Sequence, residues 1–231
     1  MFFNFTYWHF LTKPEELAEK LQSSEMRGFN KRVVFVFLFG LFLFVSRELW
    51  GMNTESVTSL LATMTTIDFI IARYASLLGV ILWAFVYMAF HFWGFAYILR
   101  FLTKIPYQNI LPLQLLITGL LLLEKAIVFI VFYIKGEVAN VSFLSFGPLA
   151  MTFLDQYYMI FFLNQLTIIT AAIIALQFRF VRAYHGASNW KGILGLLIAV
   201  HVVMALITAA VGMIPFEDVI RAIIRGGIGL V

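Results

Sequence analysis

Five stretches of the chain are nearly free of charge, and each is long enough to cross a bilayer. They run from Val33 to about Met52, from about Tyr74 to Leu99, from Ile110 to Ile134, from about Gln156 to Phe178 and from Gly192 to Ile214. A helix rises about 1.5 Å per residue, so Ile110 to Ile134 reaches about 37 Å, against about 30 Å of hydrocarbon. In the first stretch Phe35, Phe37, Phe39, Phe42 and Phe44 alternate in part, as a strand would. The later runs are far too long for barrel strands and do not alternate, so a helical reading holds for all five. The pattern predicts an all-α integral membrane protein, a bundle of five transmembrane helices with interfacial amphipathic helices at its N- and C-terminal ends.

The connecting segments complete the layout. Residues 1–32 open with Phe2, Phe3, Phe5, Tyr7, Trp8 and Phe10, an aromatic density that suits a bilayer interface and not a signal peptide. Thr12-Lys13-Pro14-Glu15 has capping-box spacing and predicts a short helix that stops near Gly28. Residues 53–68 are rich in Ser and Thr and read as an external loop, with an interfacial helix over Val57 to Met64. Asn109 reads as the cap of the third span, with Pro112 tolerated in its first turn. VSFLSFGPLAMTF, within residues 135–158, is too apolar for an ordinary loop and too short to span, and is expected on or in the outer leaflet. Thr167, Ala171 and Ala175 form a small-residue face on the fourth span, as Ala205-Ala209 and Thr208-Gly212 do on the fifth, so these two spans are expected to pack through them. In the tail, residues 215–231, Phe216, Val219, Ile220, Ile223 and Ile224 share one helical face opposite Glu217, Arg221 and Arg225. That tail reads as a membrane-surface anchor or a docking helix. Residues 33–214 form the transmembrane domain between the two ends.

Composition agrees. Of 231 residues, 62% are hydrophobic and 12% charged, where soluble domains carry about 25% charged residues. Cys is absent, which excludes disulfides, thiolate zinc sites and cysteine nucleophiles. With the N-terminus inside, the inner segments hold ten Lys and Arg and the outer segments five, with Lys125 in the membrane. That asymmetry favours a cytoplasmic N-terminus and an external C-terminus. The net charge of +4 belongs to the membrane face and points to no nucleic-acid partner.

The candidate chemistry lies inside the spans. Glu124 and Lys125 interrupt the third, and Arg47 and Glu48 interrupt the first. An ionised group at bilayer depth costs at least about 2.5–3.5 kcal/mol. Neighbours on a helix point about 100° apart, so each of these groups needs a partner on another helix. Counted from Val33 and Ile110, Arg47 and Glu124 both lie about 21 Å from the inner edge. The expected pairs are Arg47 with Glu124 and Glu48 with Lys125, holding the first span parallel to the third. Such a layer serves either as a structural clamp that fixes register or as a proton or ion path. His91 and His201 share a level nearer the cytoplasm, and Asn164 and Gln165 supplement the charged layer. The chain holds no G-x-x-x-x-G-K-[ST], no H-E-x-x-H and no G-x-S-x-G, and its four His are scattered singly, so no catalytic residue, metal site or cofactor is expected.

FLTKPEEL before the first span, SFGPLA in the third loop and LDQYYMIFFLNQL opening the fourth span together resemble the Yip (Ypt-interacting protein) domain family of five-span membrane proteins, in particular its bacterial YknW-like members. The resemblance implies five helices, a cytoplasmic N-terminal segment and no established catalytic residues. For bacterial members it implies association with an ABC-type exporter made of an ATPase, a permease and a membrane-fusion subunit. The resulting expectation is a non-catalytic accessory or assembly subunit in a bacterial cell membrane, serving an exporter of toxic peptides or small molecules. The alternative is a small proton- or ion-coupled transporter or channel using Glu124, Lys125, His91 and His201.

Overall fold

In a computed structural model of the chain, residues 2–52, 65–137, 139, 141–186 and 190–213 are described. The chain opens with β1 (Phe2–Asn4), α1 (Tyr7–Thr12), α2 (Pro14–Ser23) and β2 (Glu25–Arg27). Then come α3 (Phe29–Trp50) and α4 (Thr66–Ala89), which continues through a π-turn (Phe90–Gly94) into α5 (Phe95–Thr103). α6 (Tyr107–Lys135), α7 (Gly147–Ala150), α8 (Tyr157–Gln165), α9 (Ile168–His185) and α10 (Trp190–Gly212) follow. Among the described residues four helices are long and apolar enough to cross a membrane: Phe29–Trp50, Phe69–Thr103, Tyr107–Lys135 and Trp190–Gly212. α6 is central, with Ile110, Leu113, Leu115, Leu116 and Leu122 at 1% exposure or less. The expected helix over Val57 to Met64 and the tail at 215–231 lie outside the described residues.

α3 packs between α4 and α6, and side-chain pairs fix the directions. Phe37 meets Phe92 and Phe44 meets Tyr87, so α3 and the α4 helix are antiparallel. Gly40 faces Leu122 and Trp50 faces Phe129 and Tyr133, so α3 and α6 are parallel, as expected. A side chain at Gly40 would run into Met88 and Leu122, so glycine sets how closely the three helices approach. α3 begins at Phe29, four residues before the expected Val33.

The expected fourth span, Gln156 to Phe178, is broken into two helices. α8 ends at Gln165, Leu166 and Thr167 are extended, and α9 starts at Ile168. At the break Phe146 N donates to Leu166 O (3.2 Å) and Ile168 N donates to Leu144 O (3.2 Å), around an antiparallel bridge between Ser145 and Thr167. Backbone groups freed from one helix are thereby satisfied by Leu144 and Phe146. Thr167 caps α9, its hydroxyl accepting Thr170 N (3.0 Å). The small-residue contact is half as expected. Ala205 and Ala209 of α10 are buried, but Ala171 and Ala175 face outward and α9 buries Ile173, Leu176, Gln177 and Phe180 instead.

Residues 2–27 fold as a cap on the bundle. β1 and β2 pair in parallel, Phe2 with Glu25 and Asn4 with Arg27, and α1 and α2 form the crossover. Thr12 does not start α2, as its spacing implied. Its hydroxyl donates back to His9 O (2.9 Å) at the end of α1, while Lys13 is the N-cap and Pro14 the first residue of α2. Asn109 does not cap α6, whose N-cap is Pro106; its amide donates to the Tyr184 hydroxyl (2.8 Å). Leu17 and Ala18 are fully buried where α2 runs along α9. The Arg179 guanidinium grips the Glu15 carboxylate with two donors (2.5 and 2.8 Å) and donates to Thr12 O (3.0 Å). Both partners are more than a third exposed, so this pair adds about 1 kcal/mol or less and orients a cap that apolar burial holds.

The cap is acid-sensitive by construction. Hydrogen bonds from Lys13 and His9 hold the exposed Glu16 carboxyl down at about 2, against an ordinary 4.5. Glu15 is partly buried, which would raise it, but the Arg179 hydrogen bond prevails and lowers it. Depressed carboxyls stabilise the folded cap fully above their unfolded value and lose that contribution as pH falls toward the folded one. Trp8 fluorescence, read against a Trp8→Phe control, should therefore be steady from pH 7 to about 5 and change as pH drops from about 4.5 to about 2. In Glu16→Gln the change should be smaller.

Candidate functional site

The charged residues of the first and third spans meet, but not in the expected pairs. Glu48 is 1% exposed and its Oε1 accepts the Ser76 hydroxyl of α4 (2.7 Å). Arg73 Nη1 lies 3.8 Å from the same oxygen, and Arg73 Nη2 donates to Glu48 O (3.4 Å). Among the described residues neither Arg47–Glu124 nor Glu48–Lys125 forms an ion pair. The reason is register. Gly40 against Leu122 and Trp50 against Phe129 set α3 about one turn further along α6 than counting from the span ends implied. Arg73 was expected outside, ahead of a span opening at Tyr74, yet α4 starts at Thr66 and carries Arg73 two turns in.

Lys125 lies in an aromatic cage. Its Nζ is 4.7 Å from the Tyr87 ring centre and 5.9 Å from that of Phe44, and the two rings lie 5.5 Å apart. Cation–π attraction gives about 0.5–2 kcal/mol, well short of a buried ion pair. Arg47 sits one turn beyond Phe44 on the same face of α3, within electrostatic range of Lys125 and Tyr87. Its Nε is buried and makes no hydrogen bond. Two cations thus line one seam of α3, α4 and α6.

Glu124 is directed at Thr167 at the broken helix and stays within electrostatic range of Lys125 and Tyr87. The Thr167 oxygen accepts Thr170 N (3.0 Å), and its hydroxyl also lies 3.1 Å from the Thr170 hydroxyl, which donates to Gln165 O (3.0 Å). Asn164 works beside it, its Oδ1 accepting Ser142 N and the Ser145 hydroxyl, both at 2.8 Å. Gln165 donates more weakly to Phe161 O at 3.4 Å. Asn164 and Gln165, expected to supplement the charged layer, instead serve the break and the SFGPLA segment. Asn164→Ala strands the part-buried Ser142 N, while the Ser145 hydroxyl keeps Ser142 O (2.7 Å), and about 1 kcal/mol of stability should go with it. Faster proteolysis between residues 141 and 150 is the expected readout.

His91 occupies the π-turn, its ring 4.4 Å from that of Tyr87. His201 meets Gln177 of α9 (2.9 Å, Nε2 to Oε1), and its ring lies tilted 5.3 Å from that of Phe95. His91 lies within electrostatic range of both Lys125 and His201. Gln114 is fully buried on α6 with both amide atoms lacking a hydrogen-bond partner, and Gln177 Nε2 is alike. Among the described residues no three His, Asp or Glu gather as a metal site would require. Arg73, Ser76, Tyr87, Thr167 and Gln177 escaped sequence reasoning. The spacing of Arg73 and Ser76, one helical turn apart, was the one signal present for the first two.

These features define a helical, multi-pass membrane-embedded protein with a polar seam inside its bundle. No protein-family model, curated protein or solved structure matches the chain.

Proposed function

We propose that the chain is a non-catalytic accessory or assembly subunit of a bacterial membrane complex, of the ABC-exporter type, with permease, ATPase and membrane-fusion subunits as partners. In this reading the chain crosses the cell membrane five times, with α8–α9 as a broken fourth crossing, the cap cytoplasmic and the C-terminus external. The observation that carries it is that the three resemblance-bearing segments converge on one helix pair. FLTKPEEL reaches α9 through Glu15 and Arg179. SFGPLA reaches LDQYYMIFFLNQL through Ser145 and Asn164, and Gly147 leaves no room for a side chain against Asn164. A chain whose distinctive segments build one feature, with no catalytic constellation beside it among the described residues, is suited to docking. Mild-detergent purification from native membranes with mass spectrometry should recover transporter subunits in fixed ratio. Repeated recovery of the chain alone would overturn the proposal.

A second reading, a small proton- or ion-coupled transporter or channel, is favoured by one observation: the helix break faces the intramembrane Glu124. Discontinuous helices at membrane depth form ion and substrate sites in transporters. Proton or cation flux into liposomes, abolished in Glu124→Gln, would place this reading first. Equal flux in both proteins, or none in either, would remove it.

A further inference from the structure

A cleft of about 350 Å³ opens where the cap meets α9, lined among the described residues by Glu15, Phe178, Arg179, Arg182, Ala183 and Gly186. α9 is uncharged from Ile168 to Phe178 and meets its first charges at Arg179 and Arg182. The cleft therefore lies where the helix passes from hydrocarbon to headgroup level. Its two arginines are three residues apart and share one face of the helix. Glu15 takes Nε and Nη2 of Arg179, and Nη2 also donates to Thr12 O (3.0 Å). Arg182 is exposed and forms no ion pair among the described residues. Two guanidinium groups against one carboxylate leave the cleft one positive charge in excess, while Phe178 and Ala183 make part of its wall apolar.

We propose that this cleft binds the phosphate of an anionic phospholipid headgroup, drawn from the leaflet on the cap side. Arg182 supplies a planar fork of donors that matches a phosphate. Arg179 adds its Nη1, which serves neither Glu15 nor Thr12. Phe178, one turn into the membrane from Arg182, offers an apolar wall to the part of the lipid below its phosphate. Basic pockets between helices on the cytoplasmic side, where anionic lipid is concentrated, hold headgroups in this way. Because Glu15 belongs to α2 and the arginines to α9, a bound lipid ties the cap to the membrane surface beside it. The site stands apart from the accessory-subunit reading and needs no partner protein.

The test uses the full chain, purified in a neutral detergent, with equal amounts of phosphatidylglycerol and phosphatidylcholine of the same acyl chains as probes. Native mass spectrometry counts the adducts of each. The expected result is a one-lipid complex in which phosphatidylglycerol dominates. Arg182→Gln should weaken phosphatidylglycerol binding about fivefold or more, the effect of one basic residue at an anionic headgroup, and Arg182→Lys should keep most of it. Arg182 is exposed and unpaired, so its neutralisation leaves the fold in place. Arg100 is the control. The His185 ring meets Thr103 O (2.7 Å), so α5 ends beside α9 and carries Arg100 at the same end of the bundle without lining the cleft. Arg100→Gln should change binding by less than about twofold. Equal binding of the two lipids overturns the proposal, as does an equal loss in Arg182→Gln and Arg100→Gln, the mark of a diffuse basic surface. Inorganic phosphate is the second arm. If it forms an adduct that Arg182→Gln removes, and phosphatidylglycerol forms none, the ligand is a free phosphate and the lipid proposal is overturned.

Discussion

Glu48→Ala should destabilise the protein by about 3 kcal/mol, the lower end of the range for breaking a buried ion pair. Glu48 is 1% exposed while the Arg73 side chain is 29% exposed, so the stranded arginine recovers some solvation and the cost stays near that lower bound. The Ser76 hydroxyl also loses its acceptor. Because a buried charge pair gains little over a neutral one, Glu48→Gln with Arg73→Gln should lose less than the two single changes added together, by at least about 1 kcal/mol. Thermal unfolding in mild detergent measures the cycle. A second cycle, Glu48→Gln with Lys125→Gln, should be additive within about 0.5 kcal/mol, since those residues do not pair. Strong coupling in that cycle and none in the first would restore the arrangement expected from depth counting.

Gly119→Leu should release the cap. The Tyr7 hydroxyl donates to Leu116 O (2.8 Å) across α6, and its ring passes directly over Gly119. A Cβ there would lie 2.7 Å from Tyr7 Cζ and 3.0 Å from Cε2, and closer still to the hydroxyl, so even alanine overlaps a rigid ring. Overpacking of this kind costs about 1–3 kcal/mol for small additions, and leucine adds three further carbons. Displacing Tyr7 also loses its hydrogen bond, worth about 1 kcal/mol. Limited proteolysis should cut within residues 2–27 of Gly119→Leu many times faster than in the unaltered chain. Tyr7→Ala should make the second change far less harmful, because it empties the space the new side chain needs. A Gly119→Leu protein with an intact, protease-resistant cap would show that Tyr7 does not sit where this account places it.

The long apolar runs made four spanning helices readable, and parallel α3 and α6 followed from the direction of successive crossings. Depth was less readable. Counting from span ends treats helices as equal rods, whereas Gly40 and Trp50 decide by close packing how far α3 slides along α6. Arg73 was lost for a local reason: a Ser- and Thr-rich stretch reads as loop up to Tyr74, but the helix starts at Thr66. The break at Leu166-Thr167 had no breaker residue to announce it. Its cause is tertiary, a backbone pairing with Ser145 more than twenty positions earlier in the chain. Thr167 read as a small packing residue because its capping partner, Thr170, has a meaning only once the helix is broken. The parallel strands β1 and β2, three residues each, are too short for any periodic signal.

The seam depends on one register, and thiol cross-linking can read it directly because the chain contains no cysteine of its own. Two double variants would be compared in native membranes with a short thiol-specific cross-linker: Trp50→Cys with Phe129→Cys, and Arg47→Cys with Glu124→Cys. The rings of Trp50 and Phe129 lie 6.1 Å apart, so the first variant should link rapidly within one chain. The second should link more slowly, since Trp50 against Phe129 and Gly40 against Leu122 set Arg47 about one turn beyond Glu124 along α6. Fast linkage of Arg47→Cys with Glu124→Cys, and none in the other variant, would contradict the register.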